Sequence, residues 1–229
     1  MKNLFIIATL VVCFTACKQN KSSENNSANA STNSKAMVAD DVKGDGLKSA
    51  IYETETLLPG RMGATTTKIT FDEYGKTSRT EIKSVVSFGG KSMTTEASSI
   101  MLNGYIYTWK TDAKTGNKIK IDDTKFDPTK TDFSKLSDEM KKKTNFKEEG
   151  TEVLDGRTCK VGSFNTEQMK GKIWMWKQIP VQMEMDIMGK TITSKLKSLQ
   201  ENVSIPASTF EVPTDVEFKE IEIPATAAK

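Results

Sequence analysis

Histidine is absent from this chain of 229 residues, and cysteine occurs only three times. Without histidine, neither Ser-His-Asp nor Cys-His catalysis is available, and no zinc or iron site can use imidazole ligands. The sequence also has no G-x-S-x-G elbow, no G-x-G-x-x-G turn and no phosphate-binding loop. We therefore expect a protein that is not an enzyme, with no catalytic residue, no cofactor and no metal site.

Two of the three cysteines, Cys13 and Cys17, lie close to the N-terminus, so only Cys159 belongs to the body of the chain. One thiol cannot form an intramolecular disulfide, and stability must therefore come from the hydrophobic core. Cys159 and Val161 share one face of a predicted strand. This position favours a buried, inert thiol over a reactive one.

Charge of one sign is not concentrated anywhere in the sequence. The net charge of +3 comes from 33 basic and 30 acidic residues, and the densest basic group is Lys141-Lys142-Lys143. A nucleic-acid surface needs clustered positive charge, so we predict no nucleic-acid partner. The three lysines fit the C-terminal end of a helix, where cations interact favourably with the helix dipole.

The one long apolar run lies at the N-terminus, between Met1-Lys2-Asn3 and the small residues Thr15-Ala16-Cys17. A charged start, a short apolar stretch and a small-residue end predict a secretory signal peptide over residues 1–16. The run is too short to span a bilayer as a helix, which needs about 20 apolar residues. Phe14 is too large for the outer position of an ordinary signal-peptidase site.

The end of this run resembles a bacterial lipobox, in which the cysteine thiol is acylated and becomes the first mature residue. The resemblance implies that Cys17 is lipidated and anchors the chain to a membrane of the cell envelope. The alternative is a plain signal peptide that ends in cysteine. Lys18 is not the aspartate that resembles an inner-membrane retention signal, which favours the outer membrane without choosing its periplasmic side or the surface.

The segment after Cys17 is predicted to be a tether. Residues Lys18 to Ala36 include five serines and five asparagines and no large apolar residue. Such a composition cannot bury enough surface to offset the entropy of ordering. We therefore divide the mature chain into a lipidated tether, residues 17–46, and one β-rich domain, residues 47–229.

Alternation of apolar and polar residues dominates the domain. It predicts strands over residues 50–56, 65–71, 77–88, 94–102, 105–110, 118–122, 151–154, 157–164, 172–176, 179–188 and 191–199, and residues 216–221 could add a last one. Asn103-Gly104 is a strong hairpin signal.

A helix is predicted from an N-cap at Asp132, with Phe133, Leu136 and Met140 on one face. We expect a mainly β (α+β) fold: a large curved antiparallel sheet or incomplete barrel of about ten or eleven strands, with one or two helices packed on it.

Three local motifs in this order resemble those of uncharacterised lipoproteins of Bacteroidota. They are Thr70-Phe-Asp-Glu-Tyr-Gly-Lys76, Ile173-Trp-Met-Trp-Lys-Gln-Ile-Pro180, and the pair Asn202-Val-Ser-Ile-Pro206 and Phe210-Glu-Val-Pro213. Those proteins are similar in architecture to the outer-membrane lipoprotein carrier and receptor (LolA/LolB-like) fold. The resemblance covers residues 47–222 and implies an incomplete barrel with an apolar groove, in the cell envelope. It brings no catalytic residue, and a shared fold does not establish a shared function.

The candidate ligand site lies on the strand after Gln178, where five apolar residues alternate with polar ones. These five residues, with two tryptophans expected at their rim, are Ile179, Val181, Met183, Met185, Ile187, Trp174 and Trp176. Methionine adapts to irregular contacts, which suits a groove for acyl chains or another hydrophobic ligand. The alternative is that this face is ordinary core.

A second hypothesis for function is a non-enzymatic protein-interaction or structural module of the envelope. It rests on polar strand faces such as that of Thr77, Arg79, Glu81 and Lys83. Such a surface could bind a protein partner instead of a lipid.

Overall fold

A computed structural model describes residues 46–59, 62–121, 138–167, 169–187 and 189–221 of the chain. The predicted signal peptide, the lipidation site Cys17 and almost all of the tether lie outside these residues. So do the first part of the predicted helix, including Asp132, Phe133 and Leu136, and the end of the predicted strand at Met188. No helix in the described part of the chain is long and apolar enough to cross a membrane.

In these described ranges, twelve strands form one open, curved sheet, which confirms the mainly β fold. The strands are β1 (Ala50–Leu57), β2 (Gly63–Asp72), β3 (Thr77–Phe88), β4 (Lys91–Leu102), β5 (Tyr105–Lys110), β6 (Thr115–Lys120), β7 (Lys147–Leu154), β8 (Arg157–Asn165), β9 (Met169–Trp176), β10 (Ile179–Ile187), β11 (Lys190–Glu201) and β12 (Glu217–Glu220). Their order is β12-β6-β5-β4-β3-β2-β1-β11-β10-β9-β8-β7, so β12 and β7 are the two edges. Every neighbouring pair is antiparallel except β12 and β6, which are parallel.

Two-residue turns set the register of several hairpins. Asn103 and Gly104 join β4 to β5 with φ angles of 51° and 75°. Asp155 and Gly156 join β7 to β8 with φ angles of 49° and 74°. Positive φ at both central residues is the conformation whose twist matches that of the flanking strands. The hairpin predicted at Asn103-Gly104 is confirmed.

Among the described residues the α-helix is α1 (Asp138–Thr144), and it ends with the three lysines as predicted. The backbone N–H of Phe146 donates to the carbonyl of Lys141 at 2.8 Å and closes the helix. Nζ of Lys141 lies 3.6 Å from Oε1 of Glu148, at the start of β7. Lys141, in the last turn of α1, therefore connects the helix directly to the edge strand β7.

The core has two clusters of buried side chains that meet at Trp176 and Leu196. The first contains Leu47, Ala50, Tyr52, Phe71 and Ile179, and the second contains Cys159, Val161, Trp174 and Val181. Cys159 is 0% exposed, which confirms the prediction of a buried thiol, and desolvation raises its pKa. Burial also raises the pKa of the Tyr52 hydroxyl.

The side chain of Gln178 clasps the segment that enters β1. Its Oε1 accepts from the backbone N–H of Leu47 at 2.7 Å, and its Nε2 donates to the carbonyl of Leu47 at 2.9 Å. Gln178 lies in the turn between β9 and β10, 131 positions along the chain. The clasp therefore ties the start of the domain to the β9–β10 hairpin.

The C-terminal segment covers the other end of the sheet. Phe218 of β12 lies edge-on to Tyr107 and Trp109, with ring centroids 5.2 and 5.8 Å apart. Phe210, in the short 3-10 turn Ala207–Phe210, is 6% exposed. Tyr107 and Trp109 share one face of β5 and thus provide the contact surface for Phe218 of β12.

Candidate ligand-binding face

A one-residue bulge in β10 divides the predicted apolar face of that strand. Ile179 lies opposite Trp176, but Gln182 lies opposite Trp174, so Val181 is the extra residue. Side chains directly opposite each other share a face, and the bulge shifts the alternation by one position. The prediction that Ile179, Val181 and the three residues beyond form a single face is therefore wrong.

Before the bulge, the predicted site residues belong to the core. Ile179 is 0% and Val181 is 3% exposed, each in one of the two buried clusters. Trp174 is 5% exposed, so it lies in the second cluster instead of at a rim. Trp176 is half-buried between the guanidinium of Arg157 and the ammonium of Lys177, which lie 5.5 and 4.2 Å from its ring centroid.

Beyond the bulge, the remaining predicted residues form an apolar surface on the other side of the β9–β10 ribbon from Trp174. Met183, Met185 and Ile187 are half-buried, and their partners across β9 are Ile173, Gly171 and Met169. A Cβ atom added at Gly171 would lie 2.6 Å from the Phe164 ring, so that ring covers Gly171. We call this surface the methionine surface, and it comprises Phe164, Met169, Ile173, Met183, Met185, Ile187 and Ile192.

The same side of the sheet continues across β11, β1, β2, β3 and β4. Three rows of directly paired residues cross these five strands. The rows are Ser194-Thr56-Thr65-Ser84-Thr95, Leu196-Thr54-Thr67-Ile82-Ala97 and Leu199-Tyr52-Ile69-Thr80-Ser99. None of these fifteen side chains is charged. Tyr52 and Thr54 are buried and the others are half-buried, and Tyr52 belongs to the first core cluster, against which Ile69, Leu196 and Leu199 pack. We call these rows together with the methionine surface the uncharged face.

The opposite side of the same strands carries the charges. Nζ of Lys83 lies 2.9 Å from Glu96, and Nη2 of Arg79 lies 3.1 Å from Glu81. A shallow cavity of about 320 Å³ on this side is lined mostly by charged and polar residues. Most of its charged groups are therefore paired with one another, either within β3 or with a neighbouring strand.

A cluster of charged residues near the β7 edge surrounds Trp174. Nζ of Lys172 lies 3.3 Å from Glu152 and 3.6 Å from Glu149. The indole N–H of Trp174 lowers the pKa of the Glu152 carboxyl, and the hydroxyl of Ser163 lowers that of Glu149. The hydrogen bond to Glu152 raises the pKa of Lys172. The cluster stabilises the ionised forms of all three groups and holds the edge strand to β9.

No family model and no curated protein sequence matches this chain, whereas several solved structures are similar to it. An uncharacterized conserved protein from Thermus thermophilus is 6% identical, with a TM-score of 0.48 over 77% of this chain and 93% of that one. MucB in complex with MucA(peri) is 10% identical, with a TM-score of 0.43 over 76% of this chain and 57% of that one. LprF from Mycobacterium bovis is 14% identical, with a TM-score of 0.34 over 71% and 90%.

Proposed function

We propose that this chain is a membrane-anchored, non-enzymatic lipoprotein of the cell envelope that binds a hydrophobic ligand on the uncharged face. The observation that carries the proposal is the segregation of charge between the two sides of the sheet. One side holds ion pairs such as Lys83–Glu96, and the other presents half-buried methionine, isoleucine, threonine and serine.

The methionine surface suits the chain of a lipid. Met183 and Met185 carry unbranched, polarizable side chains that adapt to an irregular apolar partner. Each methylene removed from water contributes about 0.8 kcal/mol. An acyl chain of several methylenes then reaches an affinity in the micromolar range after the cost of association.

The anchor is the lipid on Cys17, inferred from the lipobox-like end of the N-terminal apolar run. Radiolabelled palmitate should enter the wild-type protein and not the Cys17→Ser variant. Equal labelling of the two proteins would exclude the anchor. Fractionation of the labelled cells then tests the favoured outer-membrane location, because the label should follow outer-membrane markers.

Ligand binding is tested on the chain from Lys18 onward, which lacks only the signal peptide and the acylated cysteine. A pyrene-labelled diacylglycerol should bind to this protein with an increase in monomer fluorescence. Met185→Asp places a charge on the methionine surface, where Met185 is half-buried opposite Gly171. We expect this variant to melt cooperatively and to lose the pyrene lipid.

Two matched variants separate a binding defect from a folding defect. Lys195→Asp introduces an aspartate on the charged side of β11, opposite Gln182. This variant should still melt cooperatively and should still bind the pyrene lipid. Ile179→Asp introduces an aspartate in the core. This variant should not melt cooperatively, because Ile179 is 0% exposed. Retention of the pyrene lipid by Met185→Asp, or no uptake by the wild type, contradicts the proposal. Co-purifying proteins in place of a lipid would instead support the protein-interaction module.

A further inference from the structure

Five hydroxyl side chains stand in one row across five adjacent strands of the uncharged face. The row is Ser194-Thr56-Thr65-Ser84-Thr95, and each neighbouring pair is directly opposed in the register. With strands about 4.8 Å apart, the row is roughly 19 Å long. We call it the hydroxyl row.

The hydroxyl row keeps hydrogen-bonding capacity for a ligand. Oγ1 of Thr56 donates to Oγ of Ser194 at 3.0 Å, and Oγ1 of Thr65 lies 3.0 Å from Oγ of Ser84. Each such pair uses one of its two hydroxyl hydrogens internally. One O–H and several oxygen lone pairs in each pair can therefore face a hydroxylated partner.

The hydroxyl row runs into the methionine surface without a break. Met183 lies opposite Ser194, and Ile173 lies opposite Met183. One continuous row of the sheet is thus hydrogen-bonding over β11 to β4 and apolar over β10 and β9. This is the polarity pattern of a lipid, with a polar head at one end and a chain at the other.

Charge is directed away from the hydroxyl row at almost every strand. The sequence neighbours Glu55, Lys83, Glu96 and Lys195 belong to the opposite side of the sheet, because successive side chains alternate. A phosphate placed over the row would lose hydration against five hydroxyls and no cation of the row itself, which is costly. A neutral hydroxylated headgroup would exchange water hydrogen bonds for those of the row.

We propose that the uncharged face selects a neutral amphiphile. Its acyl chain lies over Met183 and Ile173, and its hydroxyl-bearing headgroup lies over the hydroxyl row. The inference rests on the proposed function, since it names the class of lipid that the same face takes.

The test compares three pyrene-labelled lipids with identical chains, added to the chain from Lys18 onward. Two are neutral, galactosyl-diacylglycerol and acetylated diacylglycerol, and the third is the anionic phosphatidic acid. Galactosyl-diacylglycerol should bind at least about tenfold more tightly than phosphatidic acid, since the phosphate would lie over a hydroxyl row that contains no cation, with Lys110 and Lys190 of the same side opposite Ala97 and Ile187 instead of the row. Equal or tighter binding of phosphatidic acid overturns the inference and leaves the proposed function standing. Binding of none of the three lipids overturns both.

A matched pair of nearly isosteric variants tests the hydroxyl row itself. Thr65→Val removes a hydroxyl from the row, and Thr66→Val removes one from the charged side of the same strand, opposite Lys83. Thr65→Val should weaken galactosyl-diacylglycerol binding by about two- to tenfold, the effect of one hydrogen bond. It should leave acetylated diacylglycerol, which has no hydroxyl, unchanged. Identical effects of Thr65→Val and Thr66→Val, or equal losses for both lipids, overturn the role of the row.

Discussion

The indole N–H of Trp174 donates a hydrogen bond of 2.7 Å to Oε2 of Glu152, across the strand that lies between them. Trp174 belongs to β9 and is 5% exposed, whereas Glu152 belongs to the edge strand β7. Nζ of Lys172 lies 5.3 Å above the same indole ring and 3.3 Å from the same carboxylate. The edge of the sheet is therefore attached to its core by a polar bond as well as by the backbone ladder.

This bond predicts a pH-dependent stability. The hydrogen bonds from Trp174 and Lys172 lower the pKa of Glu152, so the ionised carboxylate stabilises the fold above the ordinary glutamate pKa of about 4.3. The contribution is lost as the pH falls through the lowered pKa. Glu152→Gln should reduce the melting temperature at pH 7, and the difference should become smaller at pH 3, as the pH falls through the lowered pKa.

The control for this pH dependence is Glu167→Gln, in the exposed turn before β9. It should leave the melting temperature unchanged at both pH values. If Glu152→Gln lowers the melting temperature by as much at pH 3 as at pH 7, the charge of the Glu152 carboxylate is not the cause of the lower stability.

Cys159 should resist modification in the folded protein. Its side chain is 0% exposed and desolvation raises its pKa, so little thiolate is present and reagents have no access. In the chain from Lys18 onward, Ellman's reagent should label less than a tenth of the thiol in buffer and all of it in urea. Ser87→Cys, in the exposed end of β3, should add one thiol that reacts at once in buffer. Fast native labelling without that substitution would contradict the burial.

Gly171 should not tolerate a larger side chain. A Cβ atom at this position would lie 2.6 Å from the Phe164 ring and would also meet the backbone carbonyl of Glu184. Gly171→Ala should lower the free energy of unfolding by about 1–3 kcal/mol, the usual cost of overpacking. Urea denaturation measures the change.

The double variant Gly171→Ala/Phe164→Leu tests whether the Phe164 ring limits the size of residue 171. Removing the ring relieves one of the two contacts, so the double variant should lose less stability than the two single changes added together. Strict additivity would mean that the ring does not limit position 171.

The sequence predicted the strands better than the faces they present. Thr77 to Phe88 and Tyr105 to Lys110 were delimited by alternation and by flanking glycine and asparagine turns, and β3 and β5 have these bounds. The bulge at Val181 could not be predicted from the alternation of apolar and polar residues, because apolar residues occupy the odd-numbered positions both before and after it. A bulge is set by how β10 packs on β9, which is information that one strand does not contain.

The hydroxyl row was hidden for a related reason. Thr65, Thr66 and Thr67 are identical residues, and only the register with β1 and β3 places Thr65 in the row and Thr66 on the charged side. The parallel pairing of β12 with β6 joins segments about 100 positions apart, and local patterns do not encode such partners. The possible last strand predicted over residues 216–221 is present as β12 (Glu217–Glu220), but its parallel partner was not predicted.

The clasp between Gln178 and Leu47 has a mechanical consequence. Tension applied to the N-terminal segment along the direction of β1 first loads the two side-chain hydrogen bonds of the clasp. It then reaches a central strand that is paired on both sides, to β2 and to β11. The hydrogen bonds of both ladders share that load in shear, so the domain resists being pulled at this end far better than it would if the first strand were at an edge and could be unzipped bond by bond.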